Sequence, residues 1–285
     1  MNCPVQWLIP SEYTRLVSRP VHARSQRPWR PSESTGLPMP TVRHLENAPI
    51  TEALVDFRVN ARKDFRAEEF RSLKEQLRAV YPNVEERRGL EASFEFKPGL
   101  PITTMQREVG LQSLFFRSAD NLNVAQFRID GFTHNRLKPY TSWEALLPEA
   151  VRLWELYVKV AKPEYVTRLA LRYINHLRLP TNVDGLGRFL ATAPALPAGY
   201  PSHVRGFLTR FEVTDRETEI AANVAQALDA PSVDGVTVIL DIDVYKEEHF
   251  DVGDARIPEV LATLRSLKNR IFFDTLTEQG IGLFV

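Results

Sequence analysis

Apolar and polar positions alternate through the stretch Tyr165 to Leu179, read YVTRLALRYINHLRL. Successive side chains of a strand point to opposite faces, so this spacing predicts a strand with two chemistries. One face collects Leu169, Leu171, Tyr173, Leu177 and Leu179; the other collects Arg168, Arg172, His176 and Arg178. The first is core and the second is a basic stripe. A second alternation, Val236 to Tyr245, sets Val238, Leu240, Ile242 and Val244 against Asp241, Asp243 and Tyr245.

The same reading extends along the chain. Glu52 to Val59 is a half-buried strand with Val55, Phe57 and Val59 on one face. Ala67 to Tyr81 has Phe70, Leu73, Leu77 and Val80 at helical spacing and stops at Pro82. Strands follow at Leu90 to Phe96, Gly110 to Arg117 and Asn123 to Phe132. A second helix starts at Thr141, with Glu144 completing a capping box. Its stripe is Trp143, Leu147, Val151, Trp154 and Val158, with a kink expected at Pro148 and an end before Pro163. A Pro- and Gly-rich connection, 180 to 201, holds a short helical piece around Leu186 to Ala191. Strands recur at Phe207 to Val213, Glu217 to Leu228 and Val236 to Tyr245, and Pro258 opens a last helix with Leu261, Leu264, Leu267 and Ile271 inward.

This order predicts an α+β fold of two similar units, each a helix followed by an antiparallel meander, with the helices packed on one face of the sheet. Residues 40–285 read as a single compact domain with pseudo-halves 40–140 and 141–285. Residues 1–38 differ: they hold six of the 20 prolines and five arginines against two acids, a net +3. With few apolar residues and no period, they read as disordered, and as a mispredicted extension with Met39 as the true start or, alternatively, a basic transit-like tail.

Composition narrows the partners. The net charge is zero, so any binding to nucleic acid or to an anionic surface must come from a local patch. The single cysteine, Cys3, excludes an intrachain disulfide and a cysteine-based metal cluster, which fits a reducing compartment. No apolar run approaches the ~20 residues that span a bilayer as a helix. A cytoplasmic protein with no membrane partner is the expectation.

Several strings occur together: Asn47-Ala48-Pro49-Ile50 with Glu52-Ala53, Leu171-Arg172-Tyr173-Ile174-Asn175 and Leu240-Asp241-Ile242-Asp243-Val244, then Leu267-Lys268, Ile271-Phe272 and Leu276-Thr277-Glu278. In that order they resemble a sporadically distributed family of uncharacterised bacterial proteins of about this length, over essentially all of 40–285. The resemblance implies a bacterial cytoplasmic protein and carries over no catalytic residue, cofactor or substrate.

The basic stripe of Arg168, Arg172, His176 and Arg178 is the candidate anion site, because guanidinium groups offer planar paired donors to phosphate or carboxylate. Asp241 and Asp243 are its candidate charge partners: if the two strands are neighbours, they neutralise Arg168 and Arg172 across the sheet. The same aspartates with Glu219 or Glu212 form an alternative acidic cluster for a hard divalent cation. No phosphate loop, His-Glu-x-x-His motif or nucleophile elbow accompanies them, and no histidine pair has ligand spacing, so no metal and no cofactor are expected. Asn175, on the apolar face, requires buried hydrogen-bond partners. Glu52, Asp56 and Arg58 on the polar side of the first strand either line a cleft or, as such charges more often do, face solvent, and Phe272 and Phe273 read as core. A sheet interleaving Arg, Tyr and Phe suggests a single-strand nucleic-acid platform, but Phe94, Phe96 and Phe127 fall on the face the helices cover, which argues against it. The leading expectation is a non-enzymatic module that binds a protein or a small anionic ligand. The alternative is an enzyme acting on a phosphorylated or nucleic-acid substrate through Arg172, His176, Asp241 and Asp243.

Overall fold

The computed structural model describes residues 45–95, 103–197, 199–201, 204–229 and 235–285, with the side chains of 90–107 set aside. The expectations for residues 1–38, and the placement of Phe94 and Phe96, lie outside the described residues. The elements are β1 (Ile50–Asn60), a 3-10 helix (Ala67–Ser72) running into α1 (Leu73–Leu77), β2 (Asn83–Glu95), β3 (Thr103–Arg117), β4 (Asn123–Arg128), β5 (Gly131–Leu137), α2 (Trp143–Ala161), β6 (Tyr165–Leu179), a 3-10 helix (Val183–Arg188), β7 (Leu208–Thr214), β8 (Ala221–Leu228), β9 (Val236–Phe250), α3 (Ile257–Thr275) and α4 (Glu278–Ile281). The strands form one nine-stranded sheet in the order β2-β3-β4-β5-β1-β6-β9-β8-β7. Each neighbouring pair is antiparallel. The fold is mixed α and β with an antiparallel sheet.

Alternation decides the faces. Ala53, Val55 and Phe57 of β1, Leu169, Leu171 and Tyr173 of β6, and Leu240, Ile242 and Val244 of β9 are buried on the side that carries α2 and α3. Each Val, Leu, Ile or Phe among them contributes about 1.5–3 kcal/mol on leaving water. Over the β1, β4 and β5 strands the core is aromatic: Trp154 of α2 stacks on Phe57 with centroids 4.4 Å apart, and Phe127, Phe132 and Tyr157 complete the layer. Asn175 is buried as expected, and its amide donates to the carbonyls of Leu240 at 3.1 Å and Tyr173 at 3.4 Å. Phe272 is buried and Phe273 packs against the core.

Three local expectations change. The run Asn123 to Phe132 is a hairpin, β4 and β5, closed by Arg128 opposite Gly131. Gly131 has φ +156°, and a Cβ there would lie 2.2 Å from the carbonyl oxygen of Phe57, so only glycine fits. The first helix is short: Tyr81 is buried where Val80 was expected, and Val80 is exposed. In α2 the cap is Ser142, whose hydroxyl accepts from the Ala145 N–H at 3.2 Å, and the helix continues through Pro148. Its inward residues are Trp143, Leu146, Ala150, Leu153, Trp154 and Tyr157, so the stripe is rotated away from Val151, which is exposed.

Candidate functional site

The face of the sheet opposite α2 and α3 carries a network of guanidinium and carboxylate groups. Direct strand pairing sets Arg172 opposite Asp243 and Arg168 opposite Glu247. Both arginines instead slant the same way along β9. Arg172 reaches Asp241 with Nε 2.8 Å from Oδ1 and Nη2 2.5 Å from Oδ2. Arg168 lies over the ring of Tyr245, 4.4 Å from its centroid, and its Nη2 reaches Asp243 Oδ2 at 2.9 Å. The hydrogen bonds it donates to Asp241 hold the Arg172 guanidinium above its ordinary range. Burial raises the Asp243 carboxyl above the usual carboxylate range, although Arg168 and Arg172 pull it down.

The centre of this network is Asp56, which is only 5% exposed. Its carboxylate accepts from Arg128 Nη2 at 2.9 Å, Thr133 Oγ1 at 2.5 Å, Arg58 Nε at 3.2 Å and Arg168 Nη1 at 3.4 Å. Burial alone would raise its carboxyl; Arg128, Arg58 and the Thr133 hydroxyl outweigh that and hold it below the ordinary carboxylate range. Arg58 also binds Asp130. The expectation of solvated charges on β1 is therefore corrected at Asp56: three arginine stems cover it. Sequence reasoning missed Asp56 and Arg128 as parts of the network, because their meeting depends on β4, β5 and β1 being neighbours in that order.

His176 and Arg178 continue the stripe, opposite Ile239 and Thr237 of β9, and no carboxylate pairs with either among the described residues. The acidic residues considered as cation ligands do not gather. Glu219 lies at the β7–β8 turn, 3.3 Å from Lys246 Nζ, and Glu212 is on β7, while Asp241 and Asp243 are held by arginines.

A cleft of about 450 Å³ opens at the head of α2, lined by Val80, Tyr81, Asn123, Arg136, Thr141, Ala145, Leu146, Glu149 and Arg152. One wall is internally satisfied. Arg152 donates to Glu149 from Nε and Nη2 at 2.7 Å each, and Tyr81 Oη donates to Glu149 Oε1 at 2.8 Å. Burial raises the Glu149 carboxyl, and the bonds from Arg152 and Tyr81 bring it below its ordinary value. The other wall offers donors. Arg136 and Asn123 sit directly opposite each other on β5 and β4, and among the described residues Arg136 donates from Nε alone, to the Pro139 carbonyl at 3.2 Å. Thr141 lines the cleft because Ser142, one residue on, does the capping.

Beside this cleft on β5 is His134, fully buried, with Nδ1 unpartnered among the described residues. Burial pushes its imidazole down to about 4, against a smaller opposing pull from Glu149. Under α3, Lys268 Nζ lies 4.0 Å from the centroid of Tyr173, and the Tyr173 and Tyr140 hydroxyls are 3.3 Å apart. Burial, with Arg265 adding to it, brings Lys268 down to about 7.

Against known proteins, the chain matches no protein-family model and no curated protein sequence. Among the described residues, no helix is long and apolar enough to cross a membrane.

Proposed function

We propose that this chain is a non-enzymatic binding module that receives a small anionic ligand in the cleft at the head of α2, with Arg136 as its charged contact. The observation that carries the reading is the contrast between arginines. Arg168 and Arg172 are spent on Asp56, Asp243 and Asp241, whereas Arg136 turns toward an open cleft beside Asn123 and Thr141 without a carboxylate within ion-pair distance among the described residues. A guanidinium with free donors in a partly enclosed cleft is suited to a carboxylate or phosphate. The enzyme alternative asks Arg172, His176, Asp241 and Asp243 to converge on a pocket; the bidentate grip between Arg172 and Asp241 leaves neither free for substrate.

Thermal-shift measurements with inorganic phosphate, succinate and a nucleoside monophosphate test the reading, followed by calorimetry on any that stabilise. At least one is expected to bind the native protein and to lose about tenfold or more in affinity in Arg136→Ala. Absence of binding by all three, or binding indifferent to Arg136, sinks it.

The placement in a bacterial cytoplasm, and the family suggested by the NAPI, LRYIN and LDIDV strings, belong to the same proposal. So does a duplicated origin for one compact domain. β1 is followed by a short helix, a meander and α2; β6 is followed by a 3-10 helix, a meander and α3. In each half the last meander strand returns to the first, β5 to β1 and β9 to β6, and the halves join where β1 meets β6.

A further inference from the structure

The sheet ends on one side at β7, and among the described residues no strand pairs with its outer edge. Leu208 is 63% exposed, Phe211 55% and Val213 49%. Edge strands usually carry a device against pairing, such as a bulge, a proline or a lysine. The opposite edge, β2, has register shifts at Arg88 and the run Glu85, Glu86, Arg87, Arg88. β7, read LTRFEVT, has no proline, no lysine and no register shift against β8, and its only charged side chains are Arg210 and Glu212.

The direction of its free peptide groups follows from the ladder. Leu228 N–H donates to the Phe207 carbonyl at 3.1 Å and Asp215 N–H to the Ile220 carbonyl at 2.8 Å. Hydrogen-bonded positions alternate along an antiparallel pair, so odd-numbered residues of β7 turn their peptide groups toward β8 and even-numbered ones turn outward. Arg210 and Glu212 are the two outward residues that flank Phe211. Their side chains lie on the face away from α2 and α3, opposite Ala225 and Asn223, whereas Phe211 and Val213 lie on the helix side.

We propose that β7 is the docking surface for a second copy of this chain, joined antiparallel about a two-fold axis through Phe211. The strand is self-complementary in charge in that register alone. Pairing Phe211 with Phe211 of the other copy sets each Arg210 opposite a Glu212, with the peptide groups of both turned outward to complete the ladder. A shift of the centre to residue 210 sets Arg210 against itself, and a shift to 212 sets Glu212 against itself. Centres between residues pair outward peptide groups with inward ones and form no ladder. In the favoured register the Phe211 rings meet at a non-hydrogen-bonded pair, the closer of the two kinds, and Val213 faces Thr209. The contact is isologous and closed, so it ends at a dimer.

Sedimentation equilibrium and size-exclusion chromatography with light scattering test this on the full chain. The native protein is expected to be a dimer. Arg210→Glu and Glu212→Arg each place like charges opposite one another at two symmetric positions, and each is expected to weaken dimerisation by about tenfold or more. Arg210→Glu with Glu212→Arg in one chain restores complementarity and is expected to restore the dimer. An equimolar mixture of the two single variants is expected to yield a heterodimer. A monomeric native protein overturns the proposal, as does a dimer insensitive to both single changes or a double variant that remains monomeric. The rescue also separates a failed interface from a failed fold, since the double variant carries both substitutions.

Discussion

Arg172 holds Asp241 side-on, Nε to Oδ1 at 2.8 Å and Nη2 to Oδ2 at 2.5 Å, across strands in which its directly opposite neighbour is Asp243. The diagonal reach leaves Asp243 to Arg168 and gives each arginine its own carboxylate. A double-mutant cycle measures this. Arg172→Ala and Asp241→Ala are expected to show coupling of ~0.5–3 kcal/mol in urea unfolding, as groups in direct contact do. The exchange Arg172→Asp with Asp241→Arg is expected to recover part of the loss caused by either reversal. Zero coupling would break the pairing.

Asp56 is the more costly member to remove. Asp56→Ala leaves Arg58, Arg128 and Arg168 without their shared carboxylate, and losing one partner of a buried ionic group typically costs ~3–5 kcal/mol. The pH dependence has a definite sign. The folded carboxyl lies below its ordinary value of 3.8, so its contribution is complete above that value and is lost as pH falls through the folded one. The stability difference between native protein and Asp56→Asn is therefore expected to be constant from pH 7 to about 5 and to shrink below 3.8. A difference that grows on acidification would contradict the assignment.

The legibility of these features in sequence differs for a physical reason. β6 spans Tyr165–Leu179 as the alternation predicts, because one apolar face over 15 residues needs no knowledge of neighbours. The aspartates of β9 were legible as partners for the same reason. Asp56 was not: its burial comes from Arg128, Thr133 and Arg168, which reach it only through the order β4-β5-β1-β6. The cleft arginine, Arg136, was hidden because the alternation of residues 123–132 reads as one unbroken strand through Ile129. The Asp130-Gly131 pair is the local turn signal that marks it. The inward face of α2 is set by Trp154 and Tyr157 packing on Phe57 and Phe132, contacts across the fold that helical spacing alone does not reveal.

Trp154 tests the corrected helix face. Its ring stacks on Phe57 at 4.4 Å and on Tyr157 at 5.3 Å, so Trp154→Ala is expected to cost ~3–5 kcal/mol. Val151, one turn earlier and exposed, is expected to accept Ser within ~0.5 kcal/mol. Chemical unfolding of both variants checks the rotation: equal losses would restore the stripe through Val151.

His134 and Lys268 are basic groups that burial pushes down, and they act in separate pH windows. The folded His134 titrates near 4 against an ordinary 6.5, so between those values the unfolded chain binds the extra proton and stability rises with pH. Lys268 titrates near 7 against 10.5, so the same slope reappears between 7 and 10.5. The cost of the charged ammonium is complete below pH 7 and gone above 10.5, with the Tyr173 ring offsetting part of it. Lys268→Met is therefore expected to stabilise the protein at pH 6 and to lose that advantage by pH 10.5. His134→Gln is expected to flatten the stability profile between pH 4 and 6.5 while leaving the upper window unchanged. Urea midpoints at half-unit pH intervals separate the two. A Lys268→Met advantage that is the same at pH 6 and pH 10.5 would show that the ammonium is solvated, and a native profile flat from 4 to 6.5 would show that His134 is not held neutral.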